Sequence, residues 1–468
     1  MCRIFRQDGY NPAPFKAQNM ALNSFVTPDG LEIGRAQAVQ AEAAGIECRI
    51  EMNPLLLKPN SDHTSQVVLL GRPHGNRSAY SYFRSEGREE LRAVVNNAFD
   101  RLAAEFNPIV LEGAGSISEI NLADSDLVNM SMARHAGADV ILVADIDRGG
   151  VFASVYGSVM LQSPDDRARI KGIIVNKFRG DIRLFESGVA MMEKITGVPV
   201  LGVVPYSREF IIDPEDSVML ETKNTHPVDG MFNVCVVRLA HISNFTDFDR
   251  LERTPGVNLY YTDRQELIRR ADAILIPGTK STIADLADMR EKGLDTAVVA
   301  CAEAGVPVWG ICGGYQIMGR TISDPDGIEG TPASVDGLGL LPTDTVLTAE
   351  KRTCRATFRL DGSDAVCEGY EIHMGRTTRG DGRPVAILPD GRSEGCRIDW
   401  KIVGSYMHGM LDNSELIDRL HESARRPLPP PAPSQSEFKS QQYDKLADHL
   451  RRHIDIERLY AIMKGGDA

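Results

Sequence analysis

Short, near-continuous apolar runs separated by stretches of helical periodicity pattern this chain, and few folds accept that pattern. In the first half the runs are 108-PIVLEGAG-115, 138-ADVILVADI-146, 171-KGIIVNKF-178 and 199-PVLGVVPY-206. Val/Ile/Leu runs without polar alternation are typical of strands covered on both faces. Segments such as 121-NLADSDLVNMSMARHAG-137 lie between them, with helical spacing and a glycine stop. Strands alternating with helices imply βαβ units around a parallel sheet. An irregular stretch over 207–230 is expected to be a boundary, because the pattern restarts in 232-FNVCVVRL-239, 272-DAILIPGT-279 and 306-VPVWGICGG-314. The part from 333 to 410 has shorter runs and more turns, which suits an antiparallel extension. Next, 427-PLPPPAP-433 reads as a stiff linker. Beyond it, Leu446, Leu450, Ile454, Leu459 and Ile462 mark one amphipathic helix. The expected units are 1–225, 231–425 and 426–468. The last helix is expected to pack on the second unit, and its stripe equally suits a homodimer.

Charge and cysteine usage narrow the class. The formal net charge is −13 over 468 residues, which argues against a nucleic-acid backbone as main partner. Apolar stretches such as 140-VILVA-144 fall far short of the ~18 residues of a membrane helix, and MCRIFRQDGY has no apolar signal region. The eight cysteines include no C-x-x-C pair, so a reducing cytoplasm is the simplest setting.

The strongest chemical signal is 310-GICGG-314, set between the strand-like VPVW and the helical 315-YQIMGR-320. A nucleophile on a sharp strand-to-helix turn needs small neighbours, and the helix N-terminus favours thiolate. The N–H of Gly313 is then placed for an oxyanion, and the Pro-Gly of 276-IPGTKST-282 offers Gly278 as a second donor. Downstream, 404-GSYMHGML-411 supplies His408, a base that meets Cys312 only in the fold. His373, in 369-GYEIHMGRT-377, is a rival base. The lysine of GTKST is a decoy for a P-loop, since Thr279 stands where the second glycine belongs.

GICGGYQIMG, IPGTKSTIADL, GYEIHMGRT and SYMHGMLDN resemble the glutamine amidotransferase domain of the cobyric acid synthase and cobyrinic acid diamide synthase type. The resemblance implies a class I-like amidotransferase α/β domain over 231–425. Cys312 would form a glutamyl thioester and His408 would act as base, with Gly278, Gly313 and Gln316 around the glutamine. Other amidotransferase classes carry a carboxylate two residues after this histidine. Here that position is Met410, so the resemblance implies a Cys–His dyad, with His373 structural or substrate-side.

In the first half, 14-PFKAQNMALNSFVTPDGLEIGRAQAVQAEAAGIE-47, 111-LEGAGSISEINL-122, 145-DIDRGGVFAS-154 and 176-NKFRGD-181 carry the chemistry-bearing residues. Lys16 can reach a phosphate. Glu112, Asp145 and Asp147 end strands before glycines, where ligands bind in parallel sheets. Such oxygens suit Mg²⁺ with nucleotide phosphates. These stretches resemble the synthetase domain of cobyric acid synthases more than that of the diamide synthases. The resemblance implies a P-loop-NTPase, dethiobiotin-synthetase-like parallel sheet domain over 1–225. It implies ATP and Mg²⁺ at Lys16, Glu112, Asp145 and Asp147, with Glu112 and Asp145 as metal ligands and Asn176 and Lys177 near the base. The implied substrates are glutamine and a corrinoid, amidated on its b, d, e and g carboxylates in cobalamin biosynthesis. An a,c-diamide synthase, or a paralogue keeping only glutaminase or scaffold function, is the alternative.

The family opens with a strand, a P-loop and a helix, and no G-x-x-x-x-G-K-[ST] occurs in this chain. The expectation is that about 25 residues, one strand, loop and helix start, precede position 2 and that Met1 is a miscalled start. An in-frame GTxSxxGKS-like sequence upstream of codon 1 supports this, and a stop codon there refutes it. As given, the chain is expected to keep glutaminase activity and to lose most ATP-dependent amidation.

Overall fold

The computed structural model describes residues 1–61, 64–78, 88–213 and 223–465. The expected boundary stretch 207–230 therefore lies partly outside the described residues.

The apolar runs of the second unit form one sheet. Its strands lie in the order Val257–Thr262, Phe232–Val237, Ala273–Ile276, Val308–Ile311, Ile402–Ser405 and Cys396–Arg397, all parallel except the last pair. Every residue of the first four strands is buried, as the unbroken apolar runs predict. Each buried aliphatic side chain there stabilises the fold by about 1.5–3 kcal/mol. The antiparallel extension is also present. Thr343–Leu360 pairs with Val366–Arg379, and the latter pairs with the short strand Met407–His408, opposing Tyr370 to His408.

The first unit is built from smaller pieces. Ala13–Phe15 pairs in parallel with Ile109–Leu111. Val140–Asp145, Ile170–Phe178 and Val200–Pro205 form a separate parallel sheet. Gln18–Met20 starts a four-stranded sheet with Leu55–Ser61, Thr64–Leu69 and Arg72–Ser78, and Ser24–Val26 pairs with Glu32–Gly34 as a hairpin. Here the apolar runs are only partly covered: Val143, mid-strand, is 58% exposed.

The single terminal helix expected from its stripe is two helices, Gln435–His453 and Ile456–Met463. Between them Ile454 forms a bridge to Gly202, and the N–H of Asp455 donates to the Leu201 carbonyl. A Cβ at Gly202 would lie 2.1 Å from the His453 carbonyl oxygen, so only glycine allows this approach. The Asp455 side chain then caps the second helix at Arg458 N–H. The tail also packs elsewhere than expected. Among the described residues of the two helices, Arg253 donates to Gln435 and stacks on Phe438, and the other polar contacts lie on the first unit: Arg3 with Asp444, Tyr443 with Glu42, Lys439 with Asp213. The helix stripe is satisfied by Phe5, Leu201 and Val204, apolar surface that periodicity alone does not locate.

Candidate active site

The elbow expected around Cys312 is formed. Cys312 joins strand Val308–Ile311 to helix Gly313–Ile317 with φ +53°, a left-handed conformation that non-glycine residues rarely adopt. The surrounding glycines are sterically required. A Cβ at Gly314 would lie 2.0 Å from the Ile276 carbonyl oxygen, and one at Gly310 would lie 2.6 Å from that of Gly314. As the first residue of its helix, Gly313 has no intrahelical acceptor for its N–H.

His408 reaches Cys312 through the fold. Its strand is held by Tyr370, which also stacks on the imidazole with ring centroids 5.3 Å apart. The imidazole interacts electrostatically with the Cys312 sulfur, while the thiol itself donates to the Ile372 carbonyl oxygen 3.6 Å away. Gly278 backs it: a Cβ there would lie 3.2 Å from His408 Cε1. Gln316 is buried in the same wall, where its Oε1 accepts from Thr282 and its Nε2 donates to Tyr406. His373 stacks on Tyr406 at 3.7 Å, and its Nδ1 lies 2.9 Å from the Gly375 carbonyl oxygen.

A third side chain stands where a dyad was expected to end. Asp247 Oδ2 lies 2.7 Å from His408 Nδ1, and its Oδ1 accepts the N–H of Gly409 at 2.8 Å. Both side chains are almost wholly buried. Burial opposes the imidazolium, but the Asp247 carboxylate and the Cys312 thiolate outweigh it and push His408 up to about 10. Asp247 therefore favours the imidazolium form of His408. Asp247 lies 161 positions from His408, on the 3₁₀ turn Phe245–Phe248. The available signal was the polar block 243-SNFTDFD-249 just beyond the end of the first apolar run of its unit, where parallel sheets carry ligand groups.

The first unit's candidates form two groups. Lys16, at the end of Ala13–Phe15, pairs with Glu112 at 2.9 Å, and Gln40 donates to the same carboxylate. On the other sheet Asp145 and Asn176 are register partners. Lys177 pairs with Asp145 at 2.8 Å, and Arg179 binds Asp147 while stacking 3.8 Å over Tyr206. Lys177 holds φ +62°, with its own N–H donated to Asn176 Oδ1. Among the described residues, no three His, Cys, Asp or Glu side chains converge as a metal site. Glu112 and Asp145 lie on separate sheets, each facing a lysine.

The two units meet around the buried Glu32 carboxylate. Lys58 binds Ser24 Oγ and Glu32, Lys351 from the second unit binds the other oxygen of Glu32, and Lys280 donates to Gln66. Burial opposes the Glu32 charge, yet Lys351 and Lys58 hold the carboxyl well below its usual range. Burial, with Lys351 and Lys58 nearby, brings the Lys280 amine down to about 7.

Residues 1–218 match the CobQ/CobB/MinD/ParA nucleotide binding domain, and 233–416 match the CobB/CobQ-like glutamine amidotransferase domain. A protein of Bacteroides fragilis named cobyric acid synthase is 61% identical over 469 residues, covering 100% of this chain and 95% of that protein. The chain belongs to the cobyric acid synthase family. Its relatives of the same name in Phocaeicola vulgatus and Streptococcus sanguinis are 60% and 46% identical, covering 100% and 99% of the chain and 95% of each relative. The order of a nucleotide-binding domain followed by an amidotransferase domain is thus that of the cobyric acid synthase family. The elbow Cys312 and His408 fall in its amidotransferase part, and the Lys16, Asp145 and Lys177 groups in its nucleotide-binding part.

Proposed function

We propose that the chain is an ATP- and glutamine-dependent carbon–nitrogen ligase that amidates the b, d, e and g carboxylates of adenosylcobyrinic acid a,c-diamide. The observation that carries this reading is the buried Cys312–His408–Asp247 line in a chain similar to cobyric acid synthases over its whole length.

The geometry supports the following glutaminase course. The Cys312 thiolate attacks the carboxamide carbon of glutamine, while the N–H groups of Gly313 and Gly278 receive the oxyanion. Protonated His408 gives its proton to the departing nitrogen, so ammonia leaves and a thioester remains. Neutral His408 then takes a proton from the attacking water, and glutamate is released. Asp247 keeps Nε2 directed at the sulfur throughout. Buried Gln316 and Tyr406 shape the wall beside the substrate.

On the other side, ATP supplies activation of the acceptor carboxylate. The charged groups at strand ends suit such a ligand: Lys16, Lys177 and Arg179 would bind phosphate oxygens, and Asp145 with Asp147 would hold Mg²⁺, while Glu112 is engaged by Lys16 on the other sheet. Asn176 and Lys177, at the end of the neighbouring strand, are assigned to the base. All eight cysteines are free thiols, in keeping with a reducing cytoplasm. No helix among the described residues is long and apolar enough to cross a membrane.

The test compares wild type and Cys312→Ser for glutamate release, with mass spectrometry of products from cobyrinic acid and from its a,c-diamide. Loss of glutamate release in the variant and amidation of the a,c-diamide by wild type are expected. A wild type inert towards glutamine defeats the reading.

A further inference from the structure

The residue that seats the catalytic carboxylate is itself held by the other half of the molecule. Asn244 is buried and adopts φ +51° and ψ +38°, directly before the turn that carries Asp247. Its carbonyl accepts the Asp247 N–H at 3.0 Å. Its neighbour Ser243 pairs with Gly278, the residue behind His408. Its side-chain Oδ1 accepts the backbone N–H of Ser24, 220 positions away on the hairpin of the nucleotide-binding half, at 3.1 Å. Ser24 in turn is fixed by Lys58, whose partner Glu32 also binds Lys351 across the boundary.

We propose that Asn244 is a positioning residue through which the nucleotide-binding half sets the glutaminase: the Ser24–Asn244 hydrogen bond holds the left-handed turn that aims Asp247 at His408. Asparagine suits the position because it tolerates this conformation and brings an acceptor. A shift of the hairpin that withdraws the Ser24 N–H leaves a buried amide oxygen without its donor. The turn then relaxes and Asp247 moves off the imidazole. Glutamine hydrolysis is thereby tied to the position of residues that continue from Lys16 into the hairpin.

This inference rests on the glutaminase reading, and two substitutions separate them. Asn244→Gly keeps the left-handed backbone easily and removes the acceptor, whereas Asn244→Asp keeps both. Asn244→Gly is expected to lower kcat for glutamine hydrolysis about 10- to 100-fold through misplacement of the carboxylate. KM should stay within about twofold, since the lost interaction serves the reaction rather than binding. The low-field proton resonance of the His408–Asp247 hydrogen bond should fade in the same variant. Asn244→Asp should recover most of the rate and the resonance. An Asn244→Gly protein that hydrolyses glutamine as fast as wild type overturns the proposal, as does an Asn244→Asp protein impaired as severely as the glycine variant. A wild type without glutaminase activity overturns the underlying reading instead.

Discussion

The two halves solve the same architectural problem differently. In the amidotransferase half one continuous sheet places Cys312 on an elbow, and the Cys312, His408 and Asp247 side chains are almost fully buried. In the nucleotide-binding half the parallel strands are divided between separate sheets, and the Asp145–Lys177 and Asp147–Arg179 pairs are well exposed. The parts of the first site are also core. The second consists of charged groups whose removal barely touches the core. Activity and stability should therefore be entangled in one half and separable in the other.

The largest departure is expected for Asp247→Asn, which keeps the shape but no longer fixes the imidazole. Steady-state glutamine hydrolysis should show kcat reduced by about 10²- to 10⁴-fold with the protein still folded by circular dichroism. A reduction smaller than threefold would break the assignment of Asp247.

Gly314→Ala comes next. Its Cβ meets the Ile276 carbonyl oxygen, and overpacking of this kind costs about 1–3 kcal/mol, more when backbone must move. Urea unfolding should show a lower midpoint, and activity should fall with it. A stable Gly314→Ala would mean that the elbow is looser than its glycines imply.

A pH-dependent effect follows from His408. Its folded pKa, pushed up to about 10, exceeds the about 6.5 of an unfolded histidine. The stabilisation it gives is complete below the unfolded value and is lost as pH rises through the folded one. The stability gap between wild type and His408→Gln should therefore be wider at neutral pH than in strong alkali, as read by urea titration. An unchanged gap would argue against the ion pair.

The smallest stability effect belongs to the other half. Lys177→Ala removes an exposed ion pair worth less than about 1 kcal/mol, so the melting curve should barely move. Nucleotide affinity, measured by calorimetry, should weaken clearly. A large loss of stability with unchanged nucleotide affinity would invert the comparison between the halves.

Local rules made much of the amidotransferase site legible. An elbow needs Gly-x-Cys-Gly-Gly, and a strand leaving a parallel sheet ends in Pro-Gly, so Cys312, Gly313 and Gly278 announce themselves within a few residues. The Asp145 and Asn176 pairing follows from strand ends in register. Asp247 was not legible by the same logic. It sits on a four-residue turn with no periodicity, and the family expectation at position 410 pointed elsewhere. The course of the tail was also hidden, because an amphipathic stripe specifies a burial requirement but no address. Its partners, Phe5 and Leu201, lie at remote places in the chain.

By itself the sequence determined the α/β alternation and the thiol on its elbow, since both depend on short-range sterics and apolar periodicity. Only the tertiary structure decided which carboxylate meets His408, that Ser24 of one half grips Asn244 of the other, and where the terminal helices lie. Those are contacts between remote segments, and their energy exists only once both surfaces have been built and water has been excluded between them.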